Sequence, residues 1–336
     1  MNIKRDVHAV ILPAFDSTTL IDSIKWFLEG GGCSILLGES RKEYVARKVS
    51  DNRKSVETAD TFLHVTKEAA DLAGDLLVAV DQEIGGICRL HDLIPTFPEI
   101  DKLESIHTDR FESIAASIAA AAKDLGVNCF LGPILDVVTG QNPWLSGRTW
   151  STDPDEIARI SSAYIRGVQS AGVAATAKHF PGFHNIALDP AIEPGAIVTE
   201  KEESFRPGFI PFANAIKNGV ELIMVGPSIV AAFDDEKPAS TSPIIIDLLR
   251  TEFGFKGIIM SDDLDSKATM RDSTVEQMAI DALNAGSDYL LIAATDHQLE
   301  RVVDAICNAV ETGDLAEERL NEAGAKIRAL AKKYRS

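Results

Sequence analysis

Short apolar runs alternate with longer amphipathic patterns from one end of this chain to the other. That alternation restricts the fold more than any other feature, because repeated βα units build a parallel sheet. Eight such runs occur, at about residues 7–15, 33–38, 75–81, 127–132, 173–179, 221–226, 257–261 and 288–293. Each is mostly β-branched or aliphatic, as a strand covered on both faces requires. Eight is the number that closes a (β/α)8 TIM barrel, and that is the fold expected. An open doubly wound sheet also alternates β and α, but the phosphate fingerprint such folds often carry is missing. Gly30-Gly31-Gly32 precedes a strand where a dinucleotide loop would follow one.

The helical stretches carry their own punctuation. Thr152-Asp153-Pro154-Asp155-Glu156 combines a cap residue, a first-turn proline and acids at the positive helix end. Ile157, Ile160, Tyr164 and Val168 follow at helical spacing until Gly172, and a last helix is expected at about 315–334. With no linker or composition shift, residues 1–336 are expected to form one barrel domain.

Charge narrows the ligands. The 33 basic and 51 acidic residues leave −18, so nucleic acid and anionic membrane surfaces are disfavoured, and a small neutral or cationic ligand suits the chain better. The first residues lack the apolar run of a leader and no stretch has the apolar length of a membrane span, so a cytoplasmic location is expected. Cys33, Cys88, Cys129 and Cys307 lie far apart in sequence and read as reduced packing residues. No metal-binding spacing is present, and no metal or organic cofactor is expected.

Barrel enzymes keep their working residues at the carboxyl ends of the strands. The third run ends in Asp81-Gln82-Glu83, the fourth continues to Asp136, the fifth ends in Lys178-His179, and the seventh in Ser261-Asp262-Asp263. Carboxylates accept hydrogen bonds from sugar hydroxyls while Lys and His donate, so this set suits a polyhydroxylated ligand. Strand-end aspartates also cap helices, and for Asp136 support of a neighbouring loop is as good a reading as ligand contact.

These segments, with Gly147-Arg148, Asp153-Pro154, Lys178-His179-Phe180-Pro181-Gly182 and Ser261-Asp262-Asp263-Leu264, resemble in order, over residues 75–270, the bacterial single-domain β-N-acetylglucosaminidases (β-N-acetylhexosaminidases) of glycoside hydrolase family 3. The resemblance implies a glycosidase that removes terminal β-linked N-acetylglucosamine with retention, through a covalent glycosyl-enzyme on Asp262. It implies sugar-holding roles for Asp81, Arg89, Arg148, Lys178 and His179, and a small carbohydrate as the partner.

The chain also departs from that pattern. The family's general acid is a histidine in the loop after the fifth strand, two residues beyond an aspartate, and counting from Gly182 these positions fall on Ala191 and Asp189. The stretch around Gly85 and Gly86 differs as well. The usual His-Gly after the Lys-His-Phe-Pro-Gly segment reads Phe183-His184, and an Ala-His-Val after the sixth strand reads Gly226-Pro227-Ser228. Three explanations stay open. In the first, another residue of the same loop is the proton donor, with His184 the first candidate because a histidine titrates near neutrality, and Glu193 or Asp189 next. Alternatively the leaving group is activated, as in transferase or phosphorolytic chemistry, or the chain is a catalytically weakened sugar-binding protein.

Overall fold

The computed structural model describes residues 3–293, 295 and 297–335. Met1 and Asn2, part of the N-terminal stretch read above as lacking a leader, lie outside the described residues. Eight parallel strands form the central sheet: β1 (Ile11–Phe15), β2 (Ser34–Leu37), β3 (Leu77–Val80), β4 (Cys129–Phe130), β5 (Ala174–Phe180), β6 (Leu222–Val225), β7 (Ile258–Ser261) and β8 (Leu290–Ile292). The order β7-β6-β5-β4-β3-β2-β1-β8 follows the chain around a ring. A parallel bridge between Met260 and Tyr289, with the Ser261 amide donating to Tyr289 O at 2.9 Å, joins β7 to β8 and closes the barrel.

All eight expected strands are present, most of them trimmed at the ends of the apolar runs, β1 and β4 the most. The stretch before Ile11 is a helix, Ile3–Ala9, whose buried Val7 and Ala9 have the same apolar character as a strand. β4 pairs only through Cys129 and Phe130 before the chain turns at Pro133. The helix expected after Asp153 runs from Pro154 to Ser170, with the Asp153 carboxylate accepting from the Asp155 amide. All four cysteines are free.

Strand periodicity decides what faces the barrel interior. Leu77 and Ala79 of β3, Ile258 and Met260 of β7, and Ala174 of β5 belong to the interior cluster, whereas Val78, Val80, Ala175, Ala177 and Ile259 pack outward under the helices. Side chains alternate at period two, so the next inward positions at the top are Asp81, Asp262 and Lys178. The other end is closed by the last helix, Glu317–Lys333, which sends Ile327, Leu330 and Ala331, with Tyr334 beyond it, into the interior cluster. An apolar plug below and a polar ring above leave one end available for chemistry.

The long connections after β5 and β6 are tied together outside the barrel. Ile197–Val198 pairs parallel with Ile229–Val230, which pairs antiparallel with Asp234–Pro238. The loop after β5 therefore has a fixed return path, and its Ala191 reaches the mouth. Among the described residues no helix is long and apolar enough to cross a membrane.

Candidate active site

A cavity of about 440 Å³ opens at the carboxyl ends of the strands, within the range of small-ligand sites. Asp81, Arg148, Lys178, His179, Asp262 and Ala191 all contribute to its walls. Two hydrogen-bonded assemblies organise it.

The first is an ion cluster. The Lys178 ammonium lies 2.7 Å from Asp81 Oδ1 and 2.8 Å from Glu83 Oε1. Arg148 grips the same Glu83 through Nη2 at 2.6 Å and Nε at 3.0 Å, and the Ile87 amide donates to Glu83 Oε2 at 3.0 Å. Burial alone would raise the Glu83 carboxyl, but Arg148 and Lys178 outweigh it and hold the group well below the usual carboxylate range. The same attraction acts on Lys178: burial disfavours the ammonium, yet Asp81 and Glu83 raise it above an ordinary lysine. Lys178 is thus a fixed cation with donors facing the cavity. Gly86 permits this packing, since a Cβ there would sit 2.0 Å from Glu83 Oε2.

The second assembly holds the histidine. Asp136 Oδ2 accepts from the His179 amide at 3.0 Å and lies 2.8 Å from His179 Nδ1, while Asp136 Oδ1 accepts from the Phe183 amide at 2.7 Å. Asp136 is buried, so its work is orientation of His179 and of the following loop. A carboxylate at Nδ1 assigns the proton to that nitrogen and leaves Nε2 facing Asp262 Oδ2 at 3.9 Å. The Trp144 ring covers His179 with centroids 4.3 Å apart.

Asp262 stands where β7 ends. Its Oδ1 accepts from the Asp263 amide at 2.7 Å, whereas Oδ2 is buried without a hydrogen-bond partner among the described residues. A carboxylate at the wall of a sugar-sized cavity, with one oxygen not taken up by a hydrogen bond, suits the stabilisation of positive charge. Asp263 also lines the cavity, and its carboxylate accepts from the Asp265 amide at 3.2 Å.

Other residues expected at the site occupy different places. Arg89 is fully buried outside the cavity lining, with its guanidinium on both Glu57 oxygens at 2.7 and 2.8 Å and its Nε donating to Gly38 O at 2.8 Å. It braces the β2 loop from beneath. His184 is buried with its ring edge-on to Phe205 at 4.6 Å and is not among the lining residues, and burial lowers its imidazole despite Glu200 and Asp136. Asp189 caps the Ala191 amide at 2.9 Å and faces Arg47 at 3.6 Å, likewise outside the lining. Ala191 itself reaches the cavity, held there in part by the Ala268 amide donating to Pro190 O at 3.0 Å.

Two departures noted in the sequence compensate each other. The Phe183 ring is fully buried and packs against Gly226, where an added Cβ would meet it at 2.1 Å. The larger side chain at one position is accommodated by the glycine at the other.

Comparison with known proteins agrees with this architecture. The profile described as the glycosyl hydrolase family 3 N terminal domain matches residues 35–330. The chain belongs to glycoside hydrolase family 3. A protein named beta-hexosaminidase from Nitrosomonas eutropha is 30% identical over 252 residues, 71% of this chain and 72% of its own length. Another of that name from Stenotrophomonas maltophilia is 30% identical over 247 residues, 70% of each chain. Among solved structures, a family 3 β-N-acetylglucosaminidase from Paenibacillus sp. superposes with a TM-score of 0.88 at 26% identity over 99% of this chain, which spans 63% of that longer one. A β-N-acetylhexosaminidase from Beutenbergia cavernae matches in fold, with a TM-score of 0.85 at 21% identity and 99% of each chain covered. Family membership places this chain among the glycosidases.

Sequence reasoning missed Tyr44, Trp144 and Glu39. Tyr44 and Trp144 flank Arg148, at 5.7 and 5.6 Å from its guanidinium carbon to the ring centroids. Glu39 stands just beyond β2, so the strand-end rule that picked out Asp81 and Asp262 would also have found it.

Proposed function

We propose that this protein is a retaining glycosidase for terminal β-linked N-acetylglucosamine, with Asp262 as nucleophile. The observation that carries the reading is the unbonded Asp262 Oδ2 at the cavity wall, across the barrel mouth from the Lys178–Asp81 cluster. Asp81, Lys178, His179 and Arg148 hold the sugar hydroxyls, so that the anomeric carbon lies above Asp262. The carboxylate attacks that carbon, the leaving group departs with the bonding electron pair, and a glycosyl ester forms. Water then attacks the same carbon from the opposite face, restoring the configuration and freeing Asp262. Arg89 acts one layer out, through the β2 loop.

A second reading of the leaving-group side is favoured by Ala191. A methyl group stands in the cavity at the position of the family's histidine, and neither His184 nor Asp189 is among the lining residues. This favours substrates whose leaving group departs without a proton, such as a phenolate or phosphate, because general acid assistance of about 10²- to 10⁴-fold is then not needed.

The test is incubation with 4-nitrophenyl N-acetyl-β-glucosaminide, followed by mass spectrometry of the quenched protein. An N-acetylhexosaminyl adduct on the peptide containing Asp262 is expected, and Asp262→Ala should lose at least about 10³-fold in turnover while still binding sugar. Undiminished turnover by that variant would overturn the assignment.

A further inference from the structure

We infer that the cavity recognises a primary ammonium carried by the sugar at the end of the ring remote from the anomeric carbon, with Glu39 as the residue that selects it. The inference rests on the orientation just proposed, with the anomeric carbon above Asp262. In the eight-strand ring β3 and β7 are diametrically opposed and β2 lies beside β3. Glu39, directly after β2, therefore lines the wall across from Asp262, where the 4- and 6-positions of a bound pyranose point.

On this wall of the cavity the surrounding structure leaves Glu39 unmatched. Asp81 pairs with Lys178, Glu83 with both Lys178 and Arg148, and Arg89 is held by Glu57. The Glu39 Oε1 atom is buried and has no hydrogen-bond partner among the described residues. Burial, then the Asp81 carboxylate, push the Glu39 carboxyl up to about 8, with Arg89 opposing and Glu83 adding to the rise. The Cys88 thiol, which the same acids act on, is raised to about 12 by burial and stays neutral. A buried polar group of this kind is costly unless a ligand completes it.

The wider field favours a cation. Among the described lining residues six side chains are acidic, with Asp16 and Asp265 among them, against Arg148 and Lys178. Walls of one sign concentrate ligands of the other. The cation that a sugar itself can carry into such a cavity is an ammonium, a compact charge with donors for two carboxylates. On binding, Glu39 gives up its proton and pairs with the ammonium in a charge-assisted hydrogen bond, while Asp81 adds a second carboxylate.

Calorimetric titration of the intact protein at pH 7 tests this, with N-acetylglucosamine and its 4-amino-4-deoxy and 6-amino-6-deoxy analogues as ligands, in two buffers of different ionisation enthalpy. At least one amino analogue is expected to bind tenfold or more tightly than the parent, with release of close to one proton, and Glu39→Gln removes both the preference and the proton release. The inference is overturned if neither analogue binds better than the parent, or if Glu39→Gln keeps the preference. An Asp262 adduct in the nitrophenyl assay without any amine preference sinks this inference alone. Absence of both sugar binding and adduct sinks it together with the proposed function.

Discussion

Replacing Glu83 by glutamine tests the ion cluster that organises the site. Glu83 is fully buried, and all four of its contacts are donors: Arg148 Nη2 and Lys178 Nζ at Oε1, Arg148 Nε and the Ile87 amide at Oε2. Whichever oxygen becomes an amide nitrogen then meets two donors. The substitution also leaves Lys178 with Asp81 as its one close carboxylate, and Arg148 without the carboxylate it grips. Breaking a buried ion pair in this way costs about 3–5 kcal/mol. With an unfolding entropy of roughly 2.1 cal/mol/K per residue, a chain of 336 residues has about 0.7 kcal/mol/K, so Tm should fall by about 4–7 °C. Differential scanning calorimetry measures this directly. The companion variant Glu83→Leu/Arg148→Met removes one charge of each sign, and it should be at least about 1 kcal/mol more stable than Glu83→Leu alone. A Glu83→Gln cost below about 1 kcal/mol, or a double variant no better than the single, would refute the view that mutual compensation holds the cluster together.

The protein should lose stability in acid, because Glu83 lies far below its ordinary value and Glu57, despite burial, is held at about 2 by His91 and Arg89. Depressed carboxyls stabilise above their unfolded pKa of about 4.3, so urea midpoints should fall as pH drops from about 4 toward 2. Glu39 has the opposite sign: its raised carboxyl binds more protons folded than unfolded between about 4.5 and 8, so the empty protein loses stability as pH rises through that window. Glu39→Gln should therefore be more stable than wild type at pH 7 by about 1–3 kcal/mol, discounted for solvent at the mouth, and equal to it near pH 4. An equal offset at both pH values would contradict the burial of that carboxyl. Gly226→Ala should cost about 1–3 kcal/mol by forcing the Phe183 ring aside, and Phe183→Leu should relieve part of that cost in thermal melts. His184→Ala should change turnover of a methyl and a nitrophenyl glycoside by the same factor, and a selective loss on the methyl glycoside would restore His184 as proton donor.

The barrel was legible because its cause is repetitive. Eight buried strands must each be apolar on both faces, and the interruptions of that pattern at Asp81, Lys178 and Asp262 stand at inward-facing positions of one rim. The first run misled because Val7 and Ala9, buried under the barrel in a helix, have the same apolarity as a strand residue. The roles inside the site were less legible. Arg89 and Arg148 are both fully buried arginines, and only three-dimensional pairing, Glu57 for one and Glu83 for the other, separates a brace from a lining residue. His184 has the chemistry of a proton donor, but the ring contact with Phe205 that keeps it from the lining depends on a residue 21 positions away in sequence.

The departures from the family pattern divide according to what each position must do. Asp81, Lys178 and His179 are fixed by buried partners, Asp81 and Glu83 for Lys178 and Asp136 for His179, that would be left uncompensated if one of them changed, so substitution there is costly. The loop after β5 is held differently: Pro190 O by a backbone amide of Ala268, Ile197–Val198 by strand pairing, and Ala191 N–H by the side chain of Asp189. None of these bonds needs a particular side chain at 191, so the fold accepts a methyl group there at little cost. On the reading proposed above, the cost falls on the rate for poor leaving groups, and a substrate whose aglycone leaves readily as an anion removes it.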